Sequence, residues 1–322
     1  MRQAPRRAGL IVNPRAGKGS GKGQALAGQL AGDSTISLHV LERFEHLEDI
    51  IRDMAREGVT DLFISSGDGT IQEILTLVAE RGPFATLPRI CLLPHGTTNL
   101  SANDLGFEGR SIEAQAAFLR RLEARKLVTR NTIRCVNPGD GKLRHGMFVG
   151  TGAMSIATHY CQRAFNAQGV RGQWAVAKTL LTAVRKYMFA KPDAQDEARF
   201  DRPYAISVDA NGQRMAEGTQ LLHMSTTLDT LLLKCHPFWG GKTGPIRTTV
   251  IPYPVPSVLR WMLPIMYGGE NHGAPPGAIS FCGEALEVSS DVMFVIDGEF
   301  FPPPRDGPLR LETGPLFTFI RG

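Results

Sequence analysis

Apolar residues in the first third of the chain come in short unbroken runs, separated by stretches where they recur every three or four positions. The runs GLIVNP (9–14), TISLHVLE (35–42), DLFISS (61–66) and RICLLP (89–94) predict strands. The intervening stretches 21–31, 45–57, 70–80, 99–105 and 111–125 predict helices, with Leu47, Ile50, Ile51 and Met54 on one face of the second. Strand and helix in alternation imply right-handed crossovers and a parallel sheet covered on both faces. In such sheets ligands sit beyond the carboxyl ends of the strands, and the glycine-bearing turns after residues 13, 66 and 94 fall at such ends.

The texture changes after about residue 127. Short β-like runs at 127–136, 146–152, 204–209, 219–225, 246–251, 285–288, 292–296 and 316–320 are punctuated by Pro and Gly, which predicts an antiparallel sandwich or barrel. A chain of 322 residues exceeds the size of one typical domain. The expected organisation is an α/β domain over 1–126 and a β domain over 127–322, with a helical insertion near 159–190. Within that insertion, 174–189 is apolar at Trp174, Ala177, Leu181, Val184 and Met188 and basic at Lys178, Arg185 and Lys186. It is expected to pack on the core with a solvated basic face, and lying on anionic lipid is the alternative. The turn-rich 268–277 is expected to be a loop.

Charge narrows the partners. Lys+Arg 36 against Asp+Glu 31 gives +5, a balance that attracts phosphates, nucleic acid or anionic lipid. Basic residues are scattered rather than striped among aromatics, so nucleic acid is not expected. The five cysteines are widely spaced with no CxxC pair, which fits reduced thiols of a cytoplasmic protein. The apolar stretch near the start is too short for a signal peptide, and 255–267 is broken by Arg260 and Pro264. The histidines have no metal-ligand spacing and are read as structural. The expectation is a protein that touches a membrane without crossing it.

The three turns carry the chemistry. Glycine lets a main chain approach a ligand closely, and amides at a helix N-terminus bind anions. NPRAGKGSGKG (13–23) offers four glycines, two lysines and an arginine to a polyphosphate, yet fits neither the Walker pattern, with Ala16 and Gly23 in the way, nor GxGxxG. In SGDGT, Thr70 is expected to cap the following helix, with Glu73 completing a capping box. That leaves Asp68, between two glycines, free to be aimed at a cation or a donor. PHGTTN (94–99) opens another helix, where Thr98 or Asn99 would serve as a plain cap.

Together these turns resemble the catalytic domain of the diacylglycerol kinase and sphingosine/ceramide kinase superfamily, including its bacterial members. The resemblance rests on Asn13-Pro14 with Gly17-Lys18-Gly19, on Ser66-Gly67-Asp68-Gly69-Thr70 with Glu73, and on Gly96-Thr97-Thr98-Asn99 continuing through Ala102 to Leu105-Gly106. It ends on Asp297-Gly298-Glu299, so it spans nearly the whole chain in the family's order. Many diacylglycerol-type members carry Asp after the Asn of the third motif; this chain has Leu100, a departure that bears on how magnesium is held.

The resemblance implies an N-terminal three-layer α/β nucleotide domain related to those of NAD kinase and phosphofructokinase, a C-terminal β-sandwich, and ATP in the cleft between them. It implies that Gly67, Asp68, Gly69 and Thr70 hold the phosphates and Mg²⁺, with Asp68 at the metal. Asn13, Lys18, Glu73, Gly96, Thr97, Asn99 and Glu299 would assist, and Asp297 would act as general base. The implied activity is phosphorylation of the primary hydroxyl of a diacylglycerol, a ceramide or a sphingoid base by a cytoplasmic protein at the inner membrane face, with a homodimer left open. Two other readings stand beside it: an NAD kinase-like enzyme sharing the GDGT turn, and a non-catalytic nucleotide- or lipid-binding protein. By itself, Asp297 in an Asp-Gly pair reads as an ordinary hairpin aspartate.

Overall fold

The computed structural model describes residues 6–109, 111–122, 126–166, 172–189, 196–269 and 273–321. The chain divides into two compact units, one of Met1–Arg130 with Pro315–Gly322 and one of Asn131–Gly314.

Unit 1 is the alternating one. Strands β1 (Ala8–Val12), β2 (Ile36–Val40), β3 (Asp61–Ser66) and β4 (Arg89–Pro94) alternate with helices α1 (Lys22–Leu30), α2 (Leu47–Arg56), α3 (Asp68–Arg81), α4 (Leu100–Leu105) and α5 (Ile112–Arg121). The sheet is parallel in the order β2-β1-β3-β4, with Leu10 opposite both Leu38 and Phe63, and Phe63 opposite Cys91. A strand buried on both faces needs apolar residues at consecutive positions, which is why β1 and β3 read as unbroken runs rather than alternations. Leu10, Phe63 and Leu93 cluster with Leu26 and Leu30 of α1 and Ala116 and Leu119 of α5. On the opposite face, Met54 of α2 lies over Gly9, where a side chain would come within 3.1 Å of its sulfur.

Unit 2 is antiparallel. Its strands are β6 (Arg144–Gly146), β7 (Phe148–Gly152), β8 (Tyr204–Ala210), β9 (Gln213–Ala216), β10 (Thr219–Thr226), β11 (Ile246–Pro252), β12 (Ile279–Gly283), β13 (Ala285–Ser290), β14 (Phe294–Ile296) and β15 (Glu299–Phe301), with the later part of β5 (Lys126–Cys135) and the earlier part of β16 (Leu309–Arg321), strands that continue in unit 1. One layer runs β15-β14-β7-β10-β11-β12, and the other contains β9-β8-β13-β16. Val149 and Val250 from the first share a core with Val208, Val288 and Leu311 from the second, as in a sandwich. Among the described residues, three α-helices interrupt the strands: α6 (Ala153–Cys161), α7 (Gln173–Phe189) and α8 (Val258–Tyr267).

Several expectations are revised. The run 316–320 belongs to the end of β16, whose Phe319 pairs in parallel with Ile90 of β4 and so returns to unit 1. Strands β9, β12 and β15 are additional; they are short and draw their pairing from neighbours rather than from an alternating pattern of their own. Helix α3 starts two residues early, with Gly67 rather than Thr70 at its N-cap. Helix α7 turns Trp174, Leu181 and Met188 outward and buries Ala175 and Thr179 instead, the reverse of the core-packed arrangement. Part of the predicted helical insertion (167–171) and of the predicted loop (270–272) lies outside the described residues.

At the amino ends of β3 and β4, Asp61 and Arg89 are register partners, and Arg89 Nε donates to Asp61 Oδ1 at 2.6 Å. Asp61 is fully buried, so its charge depends on that guanidinium. Arg89→Ala is expected to lower the unfolding free energy by about 3–5 kcal/mol in urea titration, because it strands a buried carboxylate. Adding Asp61→Leu should recover most of the loss; a single variant as stable as the parent would remove the pair from the stabilising interactions.

Candidate active site

At the carboxyl end of the unit 1 sheet, three turns are tied to one another by side-chain hydrogen bonds. The first leaves β1 at Asn13. Its Nδ2 donates to Thr70 Oγ1 at 2.9 Å, and its Oδ1 accepts from the amide of Arg15 at 3.0 Å. One side chain therefore shapes its own turn and holds the second. Gly17, Gly19 and Gly21 all have positive φ, and a side chain on Gly17 would strike the His95 carbonyl at 2.6 Å. Gly19 and Gly21 face open space instead. The side chain of Lys18 lies outside the described residues.

The second turn carries β3 into α3. Its N-cap, Gly67, makes no side-chain capping bond, so the first amides of a fourteen-residue helix are not closed off by a serine or aspartate cap. Gly67 and Gly96 lie back to back: a side chain on Gly96 would approach the Gly67 Cα to 2.5 Å. Only glycine at 96 allows the second and third turns to come this close.

Asp68 lies between these turns, buried, and its carboxylate accepts from the amide of Leu100 at 3.1 Å and from that of Ser101 at 3.3 Å. Burial pushes the carboxyl up to about 6, against the opposing pull of the amides of Leu100, Ser101 and Asn99. Asn99, with φ 55, caps α4 without a side-chain bond to it. Its amide group instead clasps Gly96, accepting from that N–H at 2.7 Å and donating to that C=O at 3.0 Å. Thr97 is half-buried in the same turn, and Glu73 is half-buried one turn into α3.

Beneath these turns His95 has the structural role expected of the histidines, while two main-chain donors were not foreseen. His95 is buried, its Nδ1 lies 2.8 Å from Ser65 Oγ, and burial with the nearby Lys22 charge holds it down at about 4, opposed by Gln115. It is a neutral strut. Leu100 and Ser101 act through main-chain amides that every residue type except proline has, so no residue-type signal could have found them.

In unit 2, Asp297 and Gly298 form a two-residue loop joining β14 to β15, with Ile296 opposite Glu299. Both have positive φ, 48 and 90, as the tightest hairpins require. The Asp297 carboxylate is buried and turned back on the sandwich. Its Oδ1 accepts from the amides of Met147 and Phe148 at 3.1 and 2.9 Å, and Oδ2 lies 3.0 Å from the Met147 nitrogen. Gly146 makes room, since a side chain there would reach Oδ2 at 2.9 Å. Glu299 is exposed at the start of β15. Among the described residues, no cluster of three or more His, Cys, Asp or Glu side chains is arranged to hold a metal.

Comparison with known proteins follows the same lines. Residues 7–130 match the family model of the diacylglycerol kinase catalytic domain. No curated protein matches the chain. Among solved structures, a provisionally assigned diacylglycerol kinase from Bacillus anthracis str. Sterne superposes with a TM-score of 0.65 at 16% identity, covering 98% of this chain and 97% of its own. A diacylglycerol kinase from the same organism gives 0.61 at 14% identity with the same coverage. The structural likeness establishes the two-domain α/β and β-sandwich fold, and residues 7–130, which hold all three turns, match the diacylglycerol kinase catalytic-domain model.

Proposed function

We propose that the protein transfers the terminal phosphoryl group of ATP to the primary hydroxyl of a lipid such as a diacylglycerol, a ceramide or a sphingoid base. The observation that carries this reading is the close approach of Gly67 and Gly96, which exposes main chain at a helix N-terminus where a side chain cannot intrude. That is the shape a polyphosphate needs. Gly67, Gly69, Thr70, Gly96 and Thr97 would hold the phosphates through their backbone, with Lys18 adding charge. Bound ATP supplies the transferable group, with magnesium neutralising its oxygens. Each Asp68 oxygen accepts one amide and keeps a further lone pair, with which it would place magnesium directly or through water. We also assign it a positioning role, fixing α4 against α3 so that the glycine turns keep their spacing.

Phosphoryl transfer asks the protein mainly for placement and charge, and for a base to receive the proton of the attacking hydroxyl. We assign that proton to Asp297. Its support is orientation: two amides and a tight hairpin hold the carboxylate in one pose.

Incubation with radiolabelled ATP and extracted lipid should yield a chloroform-soluble phosphorylated product, whereas NAD as acceptor should yield none. Asp297→Asn should lower kcat by about 100-fold or more with ATP affinity unchanged. A variant with near-normal turnover would remove Asp297 from the reaction, and labelled NAD would overturn the lipid reading.

Asp68 gives a pH signature. With its pKa raised to about 6 in the folded protein, it is an anion at pH 8 and protonated at pH 5. Asp68→Asn should bind ATP about tenfold or more weakly than the parent at about pH 8, where a charge-assisted acceptor is lost. The difference should close as pH falls through about 6, because the parent then loses the same charge. The stability sign is opposite: the folded state holds this proton more tightly than the unfolded chain, so the parent gains stability relative to the variant on acidification from about 6 to about 4. Calorimetry showing a constant affinity ratio across the range would contradict the positioning role.

A further inference from the structure

Helix α7 is inside out for a globular protein. Trp174 is 76% exposed, Leu181 68%, Met188 51% and Phe189 78%. Lys178 and Arg185 are also exposed, so positions 174, 178, 181, 185 and 188 form one outward stripe in which large apolar and basic side chains alternate. Among its seventeen residues there is no Asp or Glu. Helix α8 repeats the pattern over ten residues. It has no buried residue, Leu259, Leu263 and Tyr267 are exposed along one face, and its single charge is Arg260, whose guanidinium lies 5.4 Å from the Trp261 ring. Both helices contact the turn Leu232–Lys234: α7 packs on it, and Tyr267 Oη donates to the Leu233 carbonyl at 3.1 Å. The amide of His236, just beyond, donates to the Met266 carbonyl.

We propose that α7 and α8 form one docking surface for an anionic phospholipid bilayer. Trp174, Leu181, Met188, Leu259 and Leu263 enter the interface, and Lys178, Arg185 and Arg260 meet the headgroup phosphates. Charge decides the occupant. An apolar face mixed with cations and free of acids complements a surface that is apolar beneath and negative above. A second copy suits it badly, because a two-fold contact sets the same patch against itself, and neither helix has an acid to face the other's cations. No helix among the described residues is long and apolar enough to cross a membrane, so the mode is lying in the interface. The inference rests on no step of phosphoryl transfer.

The test is co-sedimentation of the full chain, without nucleotide, with vesicles of phosphatidylcholine alone or of equimolar phosphatidylcholine and phosphatidylglycerol. Affinity for the anionic vesicles should exceed that for the neutral ones by about tenfold or more. Leu181→Asp should abolish binding, and the double variant Lys178→Glu with Arg185→Glu should lose the anionic preference. Both should keep the parental melting temperature, since the side chains are exposed. A parent that stays in the supernatant with anionic vesicles would overturn the proposal, as would variants that bind like it. So would light scattering that reports a dimer which Leu181→Asp splits into monomers.

Discussion

The site is organised by one buried carboxylate meeting two amides. Asp68, the first residue of α3, accepts from Leu100 and Ser101 at the start of α4, so a single side chain joins the turn after β3 to the turn after β4. Burying a carboxylate is costly, and charge-assisted bonds to amides repay part of it, about 1.5–3 kcal/mol each. The raised pKa indicates that burial outweighs the amides. This strained economy has a geometric product. With α4 drawn onto α3, Gly67 and Gly96 touch, Asn99 clasps the Gly96 peptide, and Asn13 reaches Thr70 from the third side. Backbone rather than side chain then faces the place where phosphate is proposed to sit.

The same device recurs in unit 2 with other parts. Asp297 takes the amides of Met147 and Phe148, and Gly146 leaves space for its oxygens. An Asp-Gly hairpin and a catalytic carboxylate are therefore compatible descriptions of one residue. The positive φ that makes the hairpin tight also fixes where the acid points.

Much of unit 1 was legible because β1 and β3 are buried on both faces and β4 nearly so, so that unbroken apolar runs and burial coincide. GLIVNP and DLFISS announced β1 and β3 for that reason. The site was legible as glycine positions and as Asp68, but not as a bond network, because the partners of Asp68 are main-chain amides with no residue-type signature. Thr70 was misread as a cap since a hydroxyl near a helix start usually serves that end; here Asn13 claims it two residues inside the helix. In α7 the apolar period was read correctly and its direction was not. Periodicity locates a face without saying whether protein or another apolar phase covers it.

On the proposed function the protein needs nucleotide held by main chain and, on the reading of α7 and α8, a lipid surface brought to it by an exposed amphipathic pair. The first requirement is the deeper one, and amide chemical shifts of the isotopically labelled protein, titrated with a non-hydrolysable ATP analogue and magnesium, address it directly. The largest changes should fall on the amides of Gly67, Gly69, Thr70, Gly96 and Thr97. Unshifted resonances at those five positions, with saturable changes elsewhere, would contradict the assignment of the glycine turns to the triphosphate.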